Sequence, residues 1–264
     1  MHRPAKSMSF GILLGFLAVS PVITSGTGKE PRGVKSTDPV VYSTNAVTGI
    51  ISKTGAITKS AARLIAEEAA NLYDIMDLKS FGLSGKAFEY AWRGYKYLLQ
   101  KGKISKSEVL SICDFSQSSR QKRFYVIDVA EKKVLVNTWV AHGHNSGGEY
   151  AKSFSNSPDS HKSSLGFYVT GGTYYGSHGL SLKIDGMERS INDKANARNI
   201  VVHGSQYVGE DYLSRAPITG RSFGCPALPE SEVAKVIEVI KDGSCLFIYH
   251  PTKSYLQKSK VLNG

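Results

Sequence analysis

Cysteine is scarce in this chain of 264 residues: there are three, at positions 113, 225 and 245. An odd count leaves at least one thiol unpaired within the chain or paired between molecules. Cys113 and Cys245 could form a disulfide in an oxidising compartment, but "SICDF" and "SCLFIY" suit a small buried hydrophobic residue equally well, so both interpretations stay open. Cys225 is the third thiol, and its role has to be read from its surroundings.

The motifs of common metal and cofactor sites are absent. The chain has no H-E-x-x-H sequence and no paired-cysteine zinc framework. His142 and His144 in "HGHN" have H-x-H spacing, but without such a framework they are interpreted as loop histidines. "GGTYYG" is rich in glycine, yet it has neither the Walker pattern nor the dinucleotide-binding fingerprint. We therefore expect no metal and no organic cofactor.

Acidic residues are outnumbered by basic ones. Lys plus Arg number 33 and Asp plus Glu 22, which gives a net charge of +11. The basic residues are scattered along the chain rather than run together, and this pattern favours attraction to an anionic surface over a nucleic-acid-binding arm. Nucleic acid is therefore not an expected partner. Hydrophobic residues make up 41% of the chain, enough for a real core.

No apolar run reaches the roughly 20 residues that a membrane-spanning helix needs. The longest, "FGILLGFLAVSPVI", follows the basic residues Arg3 and Lys6 and precedes small residues at 24–26. This order is typical of a secretory signal peptide. We expect residues 1–26 to be removed on export to the periplasm or cell envelope, so that the export signal provides the only contact with a membrane; an uncleaved anchor is the alternative.

The segment that follows predicts a tether and then helices. Residues 27–56 are rich in Gly, Thr, Ser and Pro without a sustained period, which is typical of a flexible tether. Residues 57–118 are predicted to be helical, because two sets of apolar residues recur at helical spacing. Ser84 can cap the second helix and Gly102 can end it. Ser105 and Glu108 have capping-box spacing and predict a third, short helix.

Residues 119–264 have the composition of a β-rich domain. Short apolar runs predict strands: "RFYVIDV", "VLVNTWVAH", "LGFYVTG", "LSLKIDG", "NIVVHG" and "CLFIYH". One helix interrupts them, with Pro229 near its start and Gly243 just past its end. The sequence therefore predicts an α+β protein, in which an N-terminal helical segment precedes a mostly antiparallel β-rich domain.

Cys225 and His203 are the residues in this domain that best fit nucleophilic chemistry. Gly224 allows an unusual turn, and Pro226 biases Cys225 toward an extended conformation, so the thiol is expected at a strand end or in a rigid turn. His203 ends the apolar run "NIVVHG", at the tip of a predicted buried strand. A cysteine acts through its thiolate, and a nearby histidine can accept the thiol proton. A structural histidine and a buried cysteine are the alternative to this interpretation.

The order His-Gly, a loop, then Ser-x-Gly-Cys resembles the signature of L,D-transpeptidases of the YkuD type. "HGSQYVGEDYLSRAPITGRSFGCPALP" resembles their murein L,D-transpeptidase catalytic-domain branch, as do "SFSNSPDSHKSSLGFYVTG" and "YYGSHGLSLKIDG". The resemblance spans about residues 120–250. Two positions depart from the better-known pattern: a His usually stands where Phe223 stands here, and an Asn or Arg where Ala227 stands.

The resemblance implies the roles of individual residues. Cys225 would be the nucleophile and His203 the general base. Gly204 would orient the imidazole, and Ser222 and Gly224 would shape the pocket and the oxyanion region. The candidate substrate contacts are His178, Gly179 and Ser181 in "SHGLSL", with Asn145 as a further guess.

The resemblance also implies a reaction and its partners. A thioester acyl-enzyme would form on a peptidoglycan stem peptide and pass to an amine acceptor: a second stem, a protein lysine or a D-amino acid. With water as the acceptor, the same site would be an L,D-carboxypeptidase that trims tetrapeptide stems. A third possibility is a catalytically silent module that binds the wall.

Overall fold

The computed structural model of the chain describes residues 54–264, with side chains from residue 61 onward. The predicted signal peptide at 1–26 lies outside the described residues, and so does the predicted tether at 27–56 up to residue 53. The described helices and strands belong to one compact unit. Within residues 54–264, no helix combines the length and the apolar character needed to cross a membrane.

Two helices precede the sheet. Helix α1 spans Thr54–Ile75 and helix α2 spans Gly85–Gln100. The Ser84 hydroxyl accepts a hydrogen bond from the Ala87 N–H at 3.0 Å, and Gly102 follows α2 with a φ of +62°, so the predicted cap and end of this helix are confirmed. The aromatic side chains Phe88, Trp92 and Tyr95 are buried in the core, as their helical spacing indicates.

Eight strands form a single sheet. Their bounds are β1 Val109–Asp114, β2 Phe124–Asp128, β3 Lys133–Thr138, β4 Gly166–Gly176, β5 Gly179–Gly186, β6 Val201–Ser205, β7 Ala227–Pro229 and β8 Cys245–Tyr249. The strand order is β3-β2-β1-β8-β4-β5-β6-β7. β1 and β8 run parallel, as do β6 and β7, whereas the other neighbours are antiparallel. The predicted α+β class is confirmed, with a sheet that is mixed rather than purely antiparallel.

The short helix predicted after Ser105 is wrong, because that segment forms the buried strand β1. β1 pairs with β2 on one side and with β8 on the other, and all six of its residues are buried. A short apolar run that is buried on both faces cannot be distinguished from a buried helix by its period alone. Ser105 does not cap a helix: its N–H donates to the Gly243 carbonyl.

Cys113 and Cys245 are both free and fully buried. They lie on the neighbouring parallel strands β1 and β8, where Cys113 stands opposite Ile248 and Cys245 opposite Leu110. This register offsets the two cysteines by three residues, roughly 10 Å along the strands. A disulfide needs Cα atoms within about 7 Å. The two thiols therefore act as small hydrophobic side chains.

Four shorter helices complete the fold: α3 Glu210–Leu213, α4 Glu230–Ile240, α5 Lys253–Lys258 and α6 Lys260–Asn263. α4 presents the predicted stripe of buried residues, Val233, Val236, Ile237 and Ile240. Gly204 on β6 lets α4 approach the sheet, because a Cβ at this position would lie 2.7 Å from Val233 Cγ1. This close packing fixes the strand that carries His203.

A buried arginine and a buried histidine lie under the segment that leads out of β3. The Arg123 guanidinium donates to the carbonyls of Val140 and Gln117 and to His142 Nδ1 at 2.8 Å. Both side chains are fully buried. Burial, followed by the nearby Arg123 charge, lowers the pKa of His142 to about 4. His142 is therefore neutral in the folded protein, and its Nδ1 accepts a hydrogen bond from the Arg123 guanidinium.

Replacing Gly94 by Ala should destabilise the protein. A Cβ at this position of α2 would lie 2.0 Å from Phe167 Cζ in the core. We expect the overpacking to lower the free energy of unfolding by roughly 1–3 kcal/mol. Urea titration should show this as a lower midpoint with an unchanged slope. The control is Gly172→Ala on β4, where an added Cβ would have no atom within 4 Å; equal midpoints for the two variants would contradict the packing argument.

The protein should lose stability in mild acid through His142. Its folded-state pKa lies below the value of about 6.5 expected in the unfolded chain, so the contribution is complete above pH 6.5 and is lost as the pH falls toward 4. We expect a loss of roughly 3 kcal/mol in the free energy of unfolding over this range. Urea titrations at several pH values should show a smaller loss for His142→Asn. The exposed control His144→Asn should behave as the parent protein does, and an unchanged loss in His142→Asn would contradict this assignment.

Candidate active site

Cys225 lies at the end of a tight turn that leads into β7, and Ser222 braces this turn. The Ser222 hydroxyl accepts from the Gly224 N–H at 3.1 Å and donates to the Cys225 carbonyl at 2.6 Å. Its backbone N–H donates to the His142 carbonyl, and its carbonyl accepts from the His144 N–H. The Ser222 hydroxyl therefore stabilises the turn itself, and the Ser222 backbone joins the turn to residues 142–144.

Gly224 is required by the shape of the turn. Its φ of +130° lies in a region that residues with a side chain rarely adopt. A Cβ would also lie 2.8 Å from the Lys162 carbonyl oxygen and 3.0 Å from Ile200 Cδ1. The Gly224 carbonyl accepts a hydrogen bond from the Ser163 hydroxyl at 3.0 Å. The glycine before the cysteine thus allows a second loop to pack directly against the turn.

The sulfur of Cys225 faces the start of β6. The thiol lies 3.5 Å from the Val201 N–H, which donates to it, and 3.6 Å from the Asn199 carbonyl, to which it can donate. Burial raises the pKa of the Cys225 thiol, while the Val201 N–H and the positive charge of Arg198 oppose that rise. The residue as a whole is half-buried, in contrast to Cys113 and Cys245. At neutral pH the resting group is a thiol.

His203 is held on β6 with one ring nitrogen already occupied. Nδ1 lies 2.8 Å from the Gly204 carbonyl, and because a carbonyl can only accept, Nδ1 carries the proton. Nε2 then has the lone pair that a general base needs. Burial lowers the pKa of His203, with a smaller contribution from His178 in the same direction, while the Gly204 hydrogen bond acts against both. The imidazole is neutral at rest.

The pairing of β6 with β7 sets the relation between the two groups. His203 stands opposite Ala227, two residues after Cys225, and the Cys225 sulfur contacts Val201, two residues before His203. The sulfur therefore lies just before β7 and the imidazole on β6, the parallel neighbour of β7, with an offset of two residues. Among the described residues, no hydrogen bond joins the sulfur to His203, and hydrogen bonds of this kind often tighten only when substrate binds.

The β4–β5 hairpin brings three of the predicted contact residues to His203. The His178 ring lies in the hairpin turn and stacks on the His203 ring with a centroid distance of 4.4 Å and an interplanar angle of 22°. Gly179, with a φ of +71°, allows the turn. Ser181 stands directly opposite His203 across the β5–β6 pair, and its hydroxyl donates to the Gly179 carbonyl. The hairpin turn therefore covers one face of the imidazole.

Asn145, the fourth predicted contact residue, joins two loops to each other. Its N–H donates to the His161 carbonyl and its side-chain amide to the Ser160 carbonyl, both at 3.0 Å. In this structure the Asn145 amide therefore holds the loop at residue 145 against the loop at residues 160–161.

The two histidines of "HGHN" lie in different environments: His142 contacts Arg123 in the interior, while His144 is exposed. Within residues 61–264, no three His, Cys, Asp or Glu side chains are grouped as metal ligands.

Arg198 is a residue of the site that sequence reasoning missed. Its guanidinium donates to Ser155 and Ser164 through Nη1 and to Ser160 and Lys162 through Nη2, at 2.7–3.1 Å. These contacts gather the polar loop between β3 and β4 beside Cys225, and the charge favours the thiolate form of that cysteine. In sequence, "KANARNI" resembles an ordinary charged surface segment. The only sequence signal was the long serine-rich loop, which needs a buried donor to order it.

Phe223 forms the rim of the site with His161. The Phe223 side chain is 71% exposed, and its ring stacks on that of His161 with a centroid distance of 4.4 Å. Phe223 lies two residues before Cys225 along the chain. An exposed aromatic ring beside a half-buried cysteine offers an apolar wall to whatever approaches the sulfur.

These groups are of the kinds that nucleophilic acyl transfer uses. The site has a half-buried cysteine, a neutral imidazole whose Nε2 carries a lone pair, and the Val201 N–H close to the sulfur. A cysteine and a histidine in such an arrangement are the parts needed to form and break a thioester. A cofactor is not needed for this chemistry.

Comparisons with known proteins agree with this chemistry at the level of the family. Residues 79–249 match the family model described as "L,D-transpeptidase catalytic domain". A search of curated proteins finds no match. Among solved structures, this chain is similar to an L,D-transpeptidase from Mycobacterium smegmatis, with 12% identity, 54% of this chain and 59% of that chain covered, and a TM-score of 0.34.

Two further solved structures are similar at the same level. One is the helical cell shape determining protein Pgp2 (K307A mutant) from Campylobacter jejuni, with 14% identity, coverage of 61% and 57%, and a TM-score of 0.34. The other is an L,D-transpeptidase (Yku) from Stackebrandtia nassauensis, with 16% identity, coverage of 63% and 68%, and a TM-score of 0.33. The chain spans 59% of the length of the first solved structure, and TM-scores this low assign no residue a role.

The family match is of a different kind, because it covers well over half of the chain. It runs from before α2 to the end of β8, and so includes the cysteine turn, β6 and the hairpin that covers His203. The chain belongs to the L,D-transpeptidase catalytic-domain family.

Proposed function

We propose that this protein is an exported cysteine L,D-transpeptidase that acts on peptidoglycan stem peptides. The observation that carries the proposal is the state of His203: Nδ1 is bound to the Gly204 carbonyl, which leaves Nε2 as a base on β6, the strand whose first residue, Val201, contacts the Cys225 sulfur. The family match supports a role in modifying peptidoglycan. The site is proposed to lie in the periplasm or cell envelope, where this substrate is found.

The first half of the reaction makes the acyl-enzyme. Cys225 Sγ attacks the carbonyl carbon of the third residue of a tetrapeptide stem, and the thiol proton passes to His203 Nε2. The negative charge on the carbonyl oxygen is stabilised by backbone N–H groups near Cys225, a contribution of about 3–4 kcal/mol per donor in other enzymes. The amide C–N bond then breaks, and the terminal D-alanine leaves with the proton from His203. A thioester remains on Cys225.

The second half transfers the acyl group. An amine attacks the thioester carbon and gives a proton to His203 Nε2, and the Cys225 sulfur leaves and recovers a proton. Because both groups are neutral at rest, each half-reaction moves one proton between sulfur, imidazole and nitrogen without a net change in the site. A second stem as acceptor gives a 3-3 crosslink, and water as acceptor would give a shortened stem instead.

The nucleophile can be tested by mass spectrometry with a carbapenem. We expect one covalent adduct on the parent protein and none on Cys225→Ala, because this is the one cysteine that is not fully buried and the one whose proton the proposal assigns to His203. The control Cys245→Ala should keep the adduct, since Cys245 is fully buried and its pKa is raised by that burial. An adduct that persists in Cys225→Ala would refute the assignment.

The reaction type can be tested by product analysis. Incubation with purified tetrapeptide stems should give 3-3 crosslinked products, whereas shortened stems alone would indicate a carboxypeptidase.

Removal of the His178 ring should change the pH dependence of turnover. His178→Ala exposes the His203 imidazole to water and removes a group that lowers its pKa, so the pKa of His203 should rise. The acid limb of the kcat profile should move to higher pH, and kcat at neutral pH should fall by roughly tenfold, a part of what a general base supplies. His178→Phe keeps an aromatic cover and should restore most of kcat. A loss confined to KM, equal in both variants, would show that His178 contacts substrate instead.

A further inference from the structure

A basic groove lies apart from the cysteine site. It is a cavity of about 800 Å3 whose lining includes five basic side chains: Lys101, Lys103, Arg189, Lys258 and Lys260. They come from three separate parts of the chain: the segment after α2, the connection that follows β5, and the α5–α6 region. The fold therefore assembles like charges that are far apart in sequence, and none of the lining residues belongs to the cysteine site.

The positive charge of the basic groove is not neutralised within the described part of the chain. The ion pairs there involve Glu67, Glu68, Glu89 and Glu238, and none of them reaches the five groove residues. The one acidic residue in the lining, Glu188, is only 4% exposed. Its carboxylate turns inward and accepts from the Phe167 N–H and the Tyr255 and Ser259 hydroxyls. Five exposed cations thus face one cavity.

The shape of the basic groove favours a chain over a flat surface. A second cavity of about 410 Å3 continues from it, sharing Ser190, Ile191 and Lys258 and adding Lys152. Between the cations, the lining is apolar, with Leu98, Met187, Ile191 and Val261. A planar membrane surface cannot enter a concavity, whereas a flexible chain can follow it and place charges against the lysines at intervals.

The side chains also select among anionic chains. Four of the five cations are lysines, which bind phosphate as compact point charges rather than through the planar fork that arginine offers to carboxylates and phosphates. Proteins that bind single-stranded nucleic acid provide aromatic faces for the bases. The aromatic residue of the larger cavity is Tyr97, whose ring centroid lies 5.4 Å from Lys101 Nζ; in the smaller cavity Tyr255 is buried and the Phe154 ring packs on His250. The groove therefore suits phosphates that carry no bases.

We propose that the basic groove binds a linear phosphodiester polymer of small polyol units. The lysines contact successive phosphates, and the apolar lining accommodates the carbon chain between them. Such a contact would hold the protein on an anionic polymer by a surface distinct from the cysteine site. It depends on neither Cys225 nor His203, so its outcome is separate from that of the proposed reaction.

Binding can be measured by fluorescence anisotropy with a labelled synthetic oligo(glycerol phosphate). We expect Lys101→Gln with Lys103→Gln, and separately Lys258→Gln with Lys260→Gln, to weaken binding by at least about fivefold each. The slope of log affinity against log salt should fall by roughly 1.4 for each pair, about 0.7 per lost phosphate contact. The charge-matched control is Lys132→Gln with Lys133→Gln, two exposed lysines at the β2–β3 turn. It should bind as the parent protein does.

Three results would overturn the proposal. The first is an equal loss of affinity in the control pair, which would show attraction to net charge alone. The second is tighter binding to oligothymidylate or to phosphatidylglycerol vesicles than to oligo(glycerol phosphate). The third is unchanged binding in both groove pairs. Circular dichroism of the same variants reports whether each remains folded, and Cys225→Ala should bind the polymer unchanged.

Discussion

The structure around the thiol depends on one constraint: the turn before Cys225 has to take a left-handed conformation and stay in it. Gly224 makes this conformation possible, and the Ser222 and Ser163 hydroxyls make it stable by satisfying the backbone groups that the turn leaves unpaired. Ser222 is in turn held between His142 and His144. Because Arg123 anchors His142 from the interior, the position of the sulfur is set by groups from three distant segments of the chain.

This bracing explains the chemical state of the site. The same packing that fixes the turn buries the thiol and the imidazole, and burial disfavours the charged form of each. Both groups are therefore neutral in the folded protein at neutral pH. Arg198 limits the cost of forming the thiolate, since its charge stands close by while its hydrogen bonds go to the serine-rich loop. The Arg198 side chain thus both orders the serine-rich loop and favours the thiolate form of Cys225.

Local sequence signals predict the elements whose stability is local. The spacing of apolar residues and the positions of turn residues, which act over a few positions, predict three kinds of feature. These are the cap of α2 at Ser84, the apolar face of α4 and six of the eight strands. The helix predicted in place of β1 is wrong because the neighbours β2 and β8 decide the state of that segment, and β7 escapes prediction because three residues are too few to show a period. For the site, "HG" and "SFGC" indicate the reacting pair. Arg198 and Ser163 could not be inferred, because their partners are tens of residues away.

The two positions that depart from the better-known pattern of the family have different physical explanations. Ala227 is fully buried and pairs with His203 on one side and with Ala141 on the other, so a longer polar side chain would have no room in this sheet. Phe223 points outward and stacks on His161, beyond the contacts that hold the turn. A larger side chain at position 227 would therefore require the neighbouring strand and residue 141 to shift, whereas the side chain at position 223 can vary without moving the sulfur. The rim, rather than the proposed reacting pair, is the part of this site whose side chains can change without disturbing the turn.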